Sequence, residues 1–156
     1  MRIVTEWIKN GDFETGDLEP WKSRYPDQPD MVKVVDDDGL VLHIEPASQA
    51  CWQSFPTTTP PGQDVAVKFR ARNVGQPFSL LNVFLSTSSD GIFMGDQVLL
   101  SPEWKQFLVV IPLSRLVEGR SSGLYFAAPA GDGSIAAHID DVEVAARIVD
   151  NIMKMN

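Results

Sequence analysis

Apolar residues return at every second position in a series of short runs along this chain, the spacing that puts alternate side chains on opposite faces of a β-strand. The clearest run is Val65 to Arg72, where Val65, Val67, Phe69 and Ala71 share one face and Lys68, Arg70 and Arg72 the other. In a later run Leu81, Val83 and Leu85 point inward and Asn82 outward, with Phe84 an aromatic on the otherwise polar side. Such runs predict strands at Met31–Val35, Leu40–Ile44, Val65–Ala71, Leu80–Ser86, Gln97–Leu100, Phe107–Pro112, Gly123–Ala127 and Ile135–Val144. Gly, Pro, Asp or Ser punctuates most of the gaps, and no helical period develops between strands. A parallel βαβ arrangement is thereby excluded, and the chain reads as an all-β, two-sheet antiparallel β-sandwich. A helical spacing appears only after Val144, where Ile148, Val149, Ile152 and Met153 fall on one face. The division expected is a sandwich over 1–145 and a C-terminal tail over 146–156. A helix that short is marginal alone, so the tail reads either as a fraying end or a helix docked on its own domain, or as a contact that joins copies into a homo-oligomer or holds a neighbour.

Composition narrows the function classes. A chain of 156 residues with 44% hydrophobic content suits one domain with an ordinary core. Twenty-one Asp and Glu against 13 Lys and Arg leave a formal charge of -8, which repels a phosphate backbone and argues against nucleic acid as partner. The same charge tolerates neutral sugars and attracts divalent cations. The single cysteine, Cys51, allows no internal disulfide and reads as a small buried apolar residue. Met1 to Trp7 lacks the pattern of a secretory leader, and no apolar run approaches the roughly 20 residues of a membrane span. The expectation is synthesis in the cytoplasm, with release by lysis or incorporation in a virion. His43 and His138 are the two histidines, and no Gly-x-Ser-x-Gly, His-Glu-x-x-His or P-loop motif is present, so the chain reads as a non-enzyme.

Several short motifs recur in a telling order. Asn10, Gly11, Asp12, Phe13 and Glu14 open the chain, with Trp21 soon after; Trp52 and Gln53 stand in the middle, ahead of Pro61 and Gly62 and the strand from Val65 to Arg72. Trp104 and Lys105 announce a later strand, and Ile139, Asp140, Asp141 and Val142 lie in the last one. This order resembles the carbohydrate-binding modules of the family 4 and family 9 type, over roughly residues 7 to 145. The resemblance implies a jelly roll whose terminal strands meet, holding an oligosaccharide or polysaccharide without cleaving it. It also implies a structural calcium at Asp12, Glu14, Asp140 and Asp141, with Glu14 and Asp141 the preferred ligands and backbone carbonyls completing about six to eight oxygens. Asp36 to Gly39 lacks the further ligands of a calcium loop and reads as a hairpin turn.

Sugar recognition needs aromatic faces for the apolar C–H side of a pyranose and amide, carboxylate or guanidinium groups for its hydroxyls. Platforms come from Trp52, Tyr25, Phe84, Phe93 and Tyr125, and polar partners from Gln53, Arg70, Arg72, Asn82 and His138. The set expected together on one sheet face or loop edge is Trp52, Gln53, Arg70, Arg72, Asn82 and Tyr125, whereas Trp21 and Trp104 match positions that pack in the core. The strip of Lys68, Arg70 and Arg72 fits an acidic sugar or none. The alternative is a structural or adhesive component of a larger assembly, such as a phage virion.

Overall fold

The computed structural model describes residues 8–46, 51–56, 64–87, 93–112, 121–129 and 135–147. Ten strands run in chain order: β1 (Lys22–Ser23), β2 (Val32–Asp36), β3 (Leu40–Ile44), β4 (Cys51–Pro56), β5 (Asp64–Asn73), β6 (Ser79–Thr87), β7 (Phe93–Leu100), β8 (Lys105–Pro112), β9 (Ser121–Ala127) and β10 (Ala137–Arg147). They form two antiparallel sheets of five, a first in the order β1-β4-β9-β6-β7 and a second in the order β2-β3-β10-β5-β8. Among the described residues there is no helix. The tail from Ile148 onward, the Thr57–Gly62 turn and the side chain of Phe93 lie outside the described residues.

Alternation decides what each sheet buries. From the first sheet Cys51, Leu81, Val83, Leu85, Leu124 and Phe126 point inward; from the second Leu42, Ile44, Val65, Val67, Phe69, Val109, Ile111 and Ile139 meet them, all at 5% exposure or less. Phe126 crosses between the layers, its ring 5.3 Å from Phe69 and 6.0 Å from Trp21. Trp21 is in the core as expected, its indole N–H donating to the Asn10 carbonyl at 3.0 Å. Burial pushes the Cys51 thiol far up, so Cys51 is an inert core residue.

Two strands escape the periodicity argument. β1 is two polar residues held by register with β4, Lys22 opposite Trp52 and Ser23 opposite Cys51. β4 inverts the usual code, with the amide of Gln53 inside and the indole of Trp52 outside. β7 begins at Phe93, earlier than Gln97, because Gly95 and Asp96 look like loop residues yet pair with β6. Trp104 is not fully buried in the core: partly buried just before β8, its ring lies under the guanidinium groups of Arg70 at 4.8 Å and Arg72 at 5.4 Å. Two neighbouring cations at β5 positions 70 and 72 hold an aromatic on the surface by cation–π attraction.

The ends of the sandwich do meet. The Val142 N–H donates to the Gly11 carbonyl at 2.9 Å, and a Cβ on Gly11 would overlap the Val142 carbonyl oxygen, so only glycine lets the opening segment lie this close to β10. Asn10 (φ 54°), Phe13 (φ 57°) and Asp141 (φ 52°) take left-handed conformations on either side of this contact. The turn they make drives the Phe13 ring into the core against Trp21, 5.6 Å away.

Candidate functional site

On the outer face of the first sheet, register lines up side chains that sequence keeps far apart. Trp52 of β4 pairs with Tyr125 of β9, Tyr125 with Phe84 of β6, and Phe84 with Gly95 of β7. The three rings stack across the strands: Trp52 to Tyr125 at 5.7 Å and 18° between planes, Tyr125 to Phe84 at 5.3 Å and 6°. Neighbouring strands are about 4.8 Å apart, so the rings stand side by side and brace one another, each contact adding about 0.5–1.5 kcal/mol. The next outward position on β6, Asn82, faces Gln97 of β7, whose amide N–H donates to Asn82 Oδ1 at 2.7 Å. One step further Leu80 pairs with Leu99, 42% and 56% exposed. Between β6 and β7 lies an open depression of about 340 Å³ lined by Asn82, Val83, Phe84, Gly95, Asp96 and Gln97.

The outer face of the second sheet is built from charge. Lys33, His43, His138 and Arg72 occupy one row across β2, β3, β10 and β5. The His43 and His138 rings meet through Nδ1 and Nε2 at 3.0 Å, while Glu45 closes one end of the row on His43 Nε2 at 2.6 Å. Asp37, from the β2–β3 turn, closes the other, contacting His138 Nδ1 at 2.6 Å and accepting from Arg72 Nε at 2.9 Å. Burial pulls the Asp37 carboxyl upward, but hydrogen bonds from His138 and Arg72 and their charges outweigh it and hold the group below its ordinary value. Burial also lowers His138, helped by the charges of His43 and Arg72 and opposed by Asp37. Lys68 and Glu143 stand 3.9 Å apart and Arg70 and Asp141 3.6 Å, loose pairs on a surface.

Where the ends meet, acids crowd together. Burial first, then the charges of Asp141 and Glu14, push the Asp140 carboxyl up to about 6, against the opposing pull of Arg70 and the Asp141 N–H. Asn10 Oδ1 is buried without a hydrogen-bond partner, while its Nδ2 donates to the Asp17 and Glu19 carbonyls. Among the described residues no three acidic, histidine or cysteine side chains converge closely enough to hold a metal by themselves. The carboxylates of Glu14 and Asp141 are the hard donor type a calcium ion takes, and backbone carbonyls would have to supply the rest.

The residues expected to share one face are therefore divided. Trp52, Asn82 and Tyr125 come together on the first sheet, joined by Phe84. Gln53 turns inward at 4% exposure, its Oε1 accepting from the Lys9 N–H at 2.8 Å and its Nε2 donating to the Lys9 carbonyl at 2.9 Å. Arg70, Arg72 and His138 belong to the opposite sheet, where Arg72 and His138 bond Asp37 and Arg70 lies over Trp104 with its Nε lacking a hydrogen-bond partner. Tyr25 lies two residues beyond the end of β1. Gln97 and Gly95 were missed. Gln97 is legible in a strand, but only the β6–β7 register reveals that it faces Asn82.

No family model matches the sequence, and no curated protein does. Solved structures match it in shape. A family 4 carbohydrate-binding module is 17% identical, with 90% of this chain and 99% of the module covered and a TM-score of 0.60. A family 61 module solved with β-1,4-galactotriose is 18% identical, covering 92% and 100%, also at 0.60. A Stig cyclase from Fischerella, solved with a pyrrolidinylidene-indole compound, is 16% identical over 94% and 98%, at 0.67. The chain thus has the jelly-roll fold of carbohydrate-binding modules, and one of these similar chains is an enzyme.

Proposed function

We propose that the protein holds an oligosaccharide or polysaccharide, without cleaving it, on the outer face of β4, β9, β6 and β7. The observation that carries this reading is the row of Trp52, Tyr125 and Phe84 beside the Asn82–Gln97 amide pair on a sheet of this fold. A braced strip of rings offers a preformed apolar surface to pyranose C–H groups, and adjacent amides can donate to and accept from hydroxyls. Rings already packed together lose little freedom on binding, which favours affinity. Glycosidic cleavage needs a carboxyl pair flanking the bond, and the polar groups next to these rings are amides.

The reading includes a structural calcium at the meeting of the chain ends, with Glu14 and Asp141 as its side-chain ligands and Asp12 or Asp140 assisting. A divalent cation there would offset the repulsion that helps to raise Asp140. A glycan array probed with the purified chain in calcium and in chelator tests both parts. Binding to a set of glycans, lost in Trp52→Ala, is the expected result. A lower melting temperature in chelator, abolished by Asp141→Ala, would support the metal, since a ligand bound to the folded state alone stabilises it by mass action. Silence across the array would transfer the case to a structural role in a larger assembly.

A further inference from the structure

We propose that His43 and His138 form a two-imidazole site for a borderline divalent cation of the zinc, nickel or copper class on the outer face of the second sheet. The two residues stand directly opposite each other on β3 and β10. Opposed positions on antiparallel strands keep side chains about 5 Å apart at Cβ, close enough for two rings to share one ion. His43 Nδ1 and His138 Nε2 already face each other at 3.0 Å. Their side chains are 16% and 11% exposed, shielded from bulk water yet within its reach.

The far side of each ring sets this pair apart from two histidines that merely touch. Glu45 holds His43 Nε2 at 2.6 Å, and Asp37 holds His138 Nδ1 at 2.6 Å. An ionised carboxylate only accepts, so both outer nitrogens donate and one proton remains between the two inner ones. A carboxylate on the outer nitrogen is what orients a metal-ligating histidine and raises its basicity. An entering cation displaces the one shared proton, and each ring then gives its inner lone pair. Bonds of about 2.0–2.1 Å at a tetrahedral angle place two nitrogens about 3.3–3.4 Å apart, so the rings part by a few tenths of an ångström and tilt. Charge does not oppose the ion: Lys33, opposite His43, pairs with Asp30 at 3.2 Å, and Arg72, opposite His138, bonds Asp37. With Glu45, three carboxylates stand against two cations. Imidazole suits zinc, copper and nickel, whereas calcium takes oxygens, so this site differs in kind from the acids where the chain ends meet. Two protein ligands leave the other positions to water.

The test uses the full chain, stripped with chelator, returned to buffer with calcium in excess and titrated with zinc or nickel. Zinc at about five times its Kd should raise the melting temperature by about 2–4 °C, as mass action requires of a ligand held by the folded state alone. The gain should survive in Asp141→Ala and vanish in His43→Gln, whose amide can still bond His138 but supplies no imidazole. Glu45→Gln should weaken zinc binding about tenfold, as loss of a carboxylate behind a ligating ring does. Nitrogen-15 spectra of the wild-type histidines read ligation directly: zinc should shift His43 Nδ1 and His138 Nε2 and leave the outer nitrogens as N–H donors. Those spectra decide the case if His43→Gln fails to fold. Inner nitrogens unmoved at millimolar zinc, or a thermal gain retained in folded His43→Gln, overturn the site.

Discussion

The two outer faces of this sandwich use their side chains in opposite ways. On the second sheet, Glu45, His43, His138, Asp37 and Arg72 satisfy one another in a continuous chain of contacts, and Trp104 lies under Arg72 and Arg70. On the first, β4, β9, β6 and β7 present rings, amides and exposed leucines with Asp96 their one charged residue, and Lys22 of β1 stands at the edge opposite Trp52. A face whose polar groups are paired internally has little left to offer a ligand and contributes to stability. A face of braced rings with spare amide valences offers contact area at small entropic cost. The lesson is that cationic residues lined up on one strand do not make a ligand strip when the folded sheet supplies their partners.

The contrast breaks most visibly at Asp37. Asp37→Ala leaves Arg72 and His138 without their shared acceptor, and we expect a loss of about 2–3 kcal/mol, since truncating one member of a desolvated charged pair strands the other. Denaturant unfolding should show this loss while affinity for an array-selected glycan stays at the wild-type level; reduced affinity in the folded variant would mean that the two faces are not separate. A sharper version compares neighbours in sequence. Trp52→Ala should weaken glycan binding about tenfold or more at modest cost in stability, as truncation of a central aromatic contact does. Gln53→Ala, one residue on but facing inward, should cost about 1–2 kcal/mol by leaving the Lys9 N–H and carbonyl unpaired, with affinity intact. Calorimetry and melting curves on the two variants must give opposite patterns for the assignment to stand.

The smallest and most gradual effect is on pH. The folded protein holds His138 below its ordinary value, so its contribution is present above about 6.5 and declines as pH falls through that value. Asp37 is also held low, and its contribution is present above about 3.9 and lost only below that. Asp140, pushed up to about 6, works in the opposite sense, its unfavourable ionisation being relieved as pH falls through that value, so between neutrality and pH 5 the His138 loss and the Asp140 gain oppose each other, and the fall below pH 4 belongs to Asp37. In a melting-temperature series His138→Gln should leave the Asp140 gain unopposed, so the variant should gain on the wild type as pH falls from neutrality to about 5. Affinity for a neutral glycan should stay level through that range, because that face relies on rings and amides.

Much of the architecture is legible without coordinates. Period-2 runs identify Val67, Phe69, Val83, Val109 and Ile111 as buried, and each is at 5% exposure or less. Phe84 reads as an outward aromatic and is one. The motif from Asn10 to Glu14 and that from Ile139 to Val142 point to ends that meet, and the Gly11–Val142 contact joins them. The failures have local causes. β4 hides because Gln53 puts an amide where the pattern expects a hydrophobe, an exchange repaid by two hydrogen bonds to Lys9. Trp104 misleads because a tryptophan is ordinarily buried, and only the neighbouring guanidinium groups show why this one is not.

In the strands with a clear period, the sequence by itself determined which residues point in and which point out, because alternation is a property of each strand's own backbone; β4, with Gln53 inside, is the exception. Only the tertiary structure decided which outward residues meet. Trp52, Tyr125, Phe84 and Gly95 form one row because β4, β9, β6 and β7 pair in that order and register, and the same topology sends Arg70 and Arg72 to the far side of the core. Register between segments tens of residues apart is set by how two sheets jointly fill a core, and local periodicity carries no record of it.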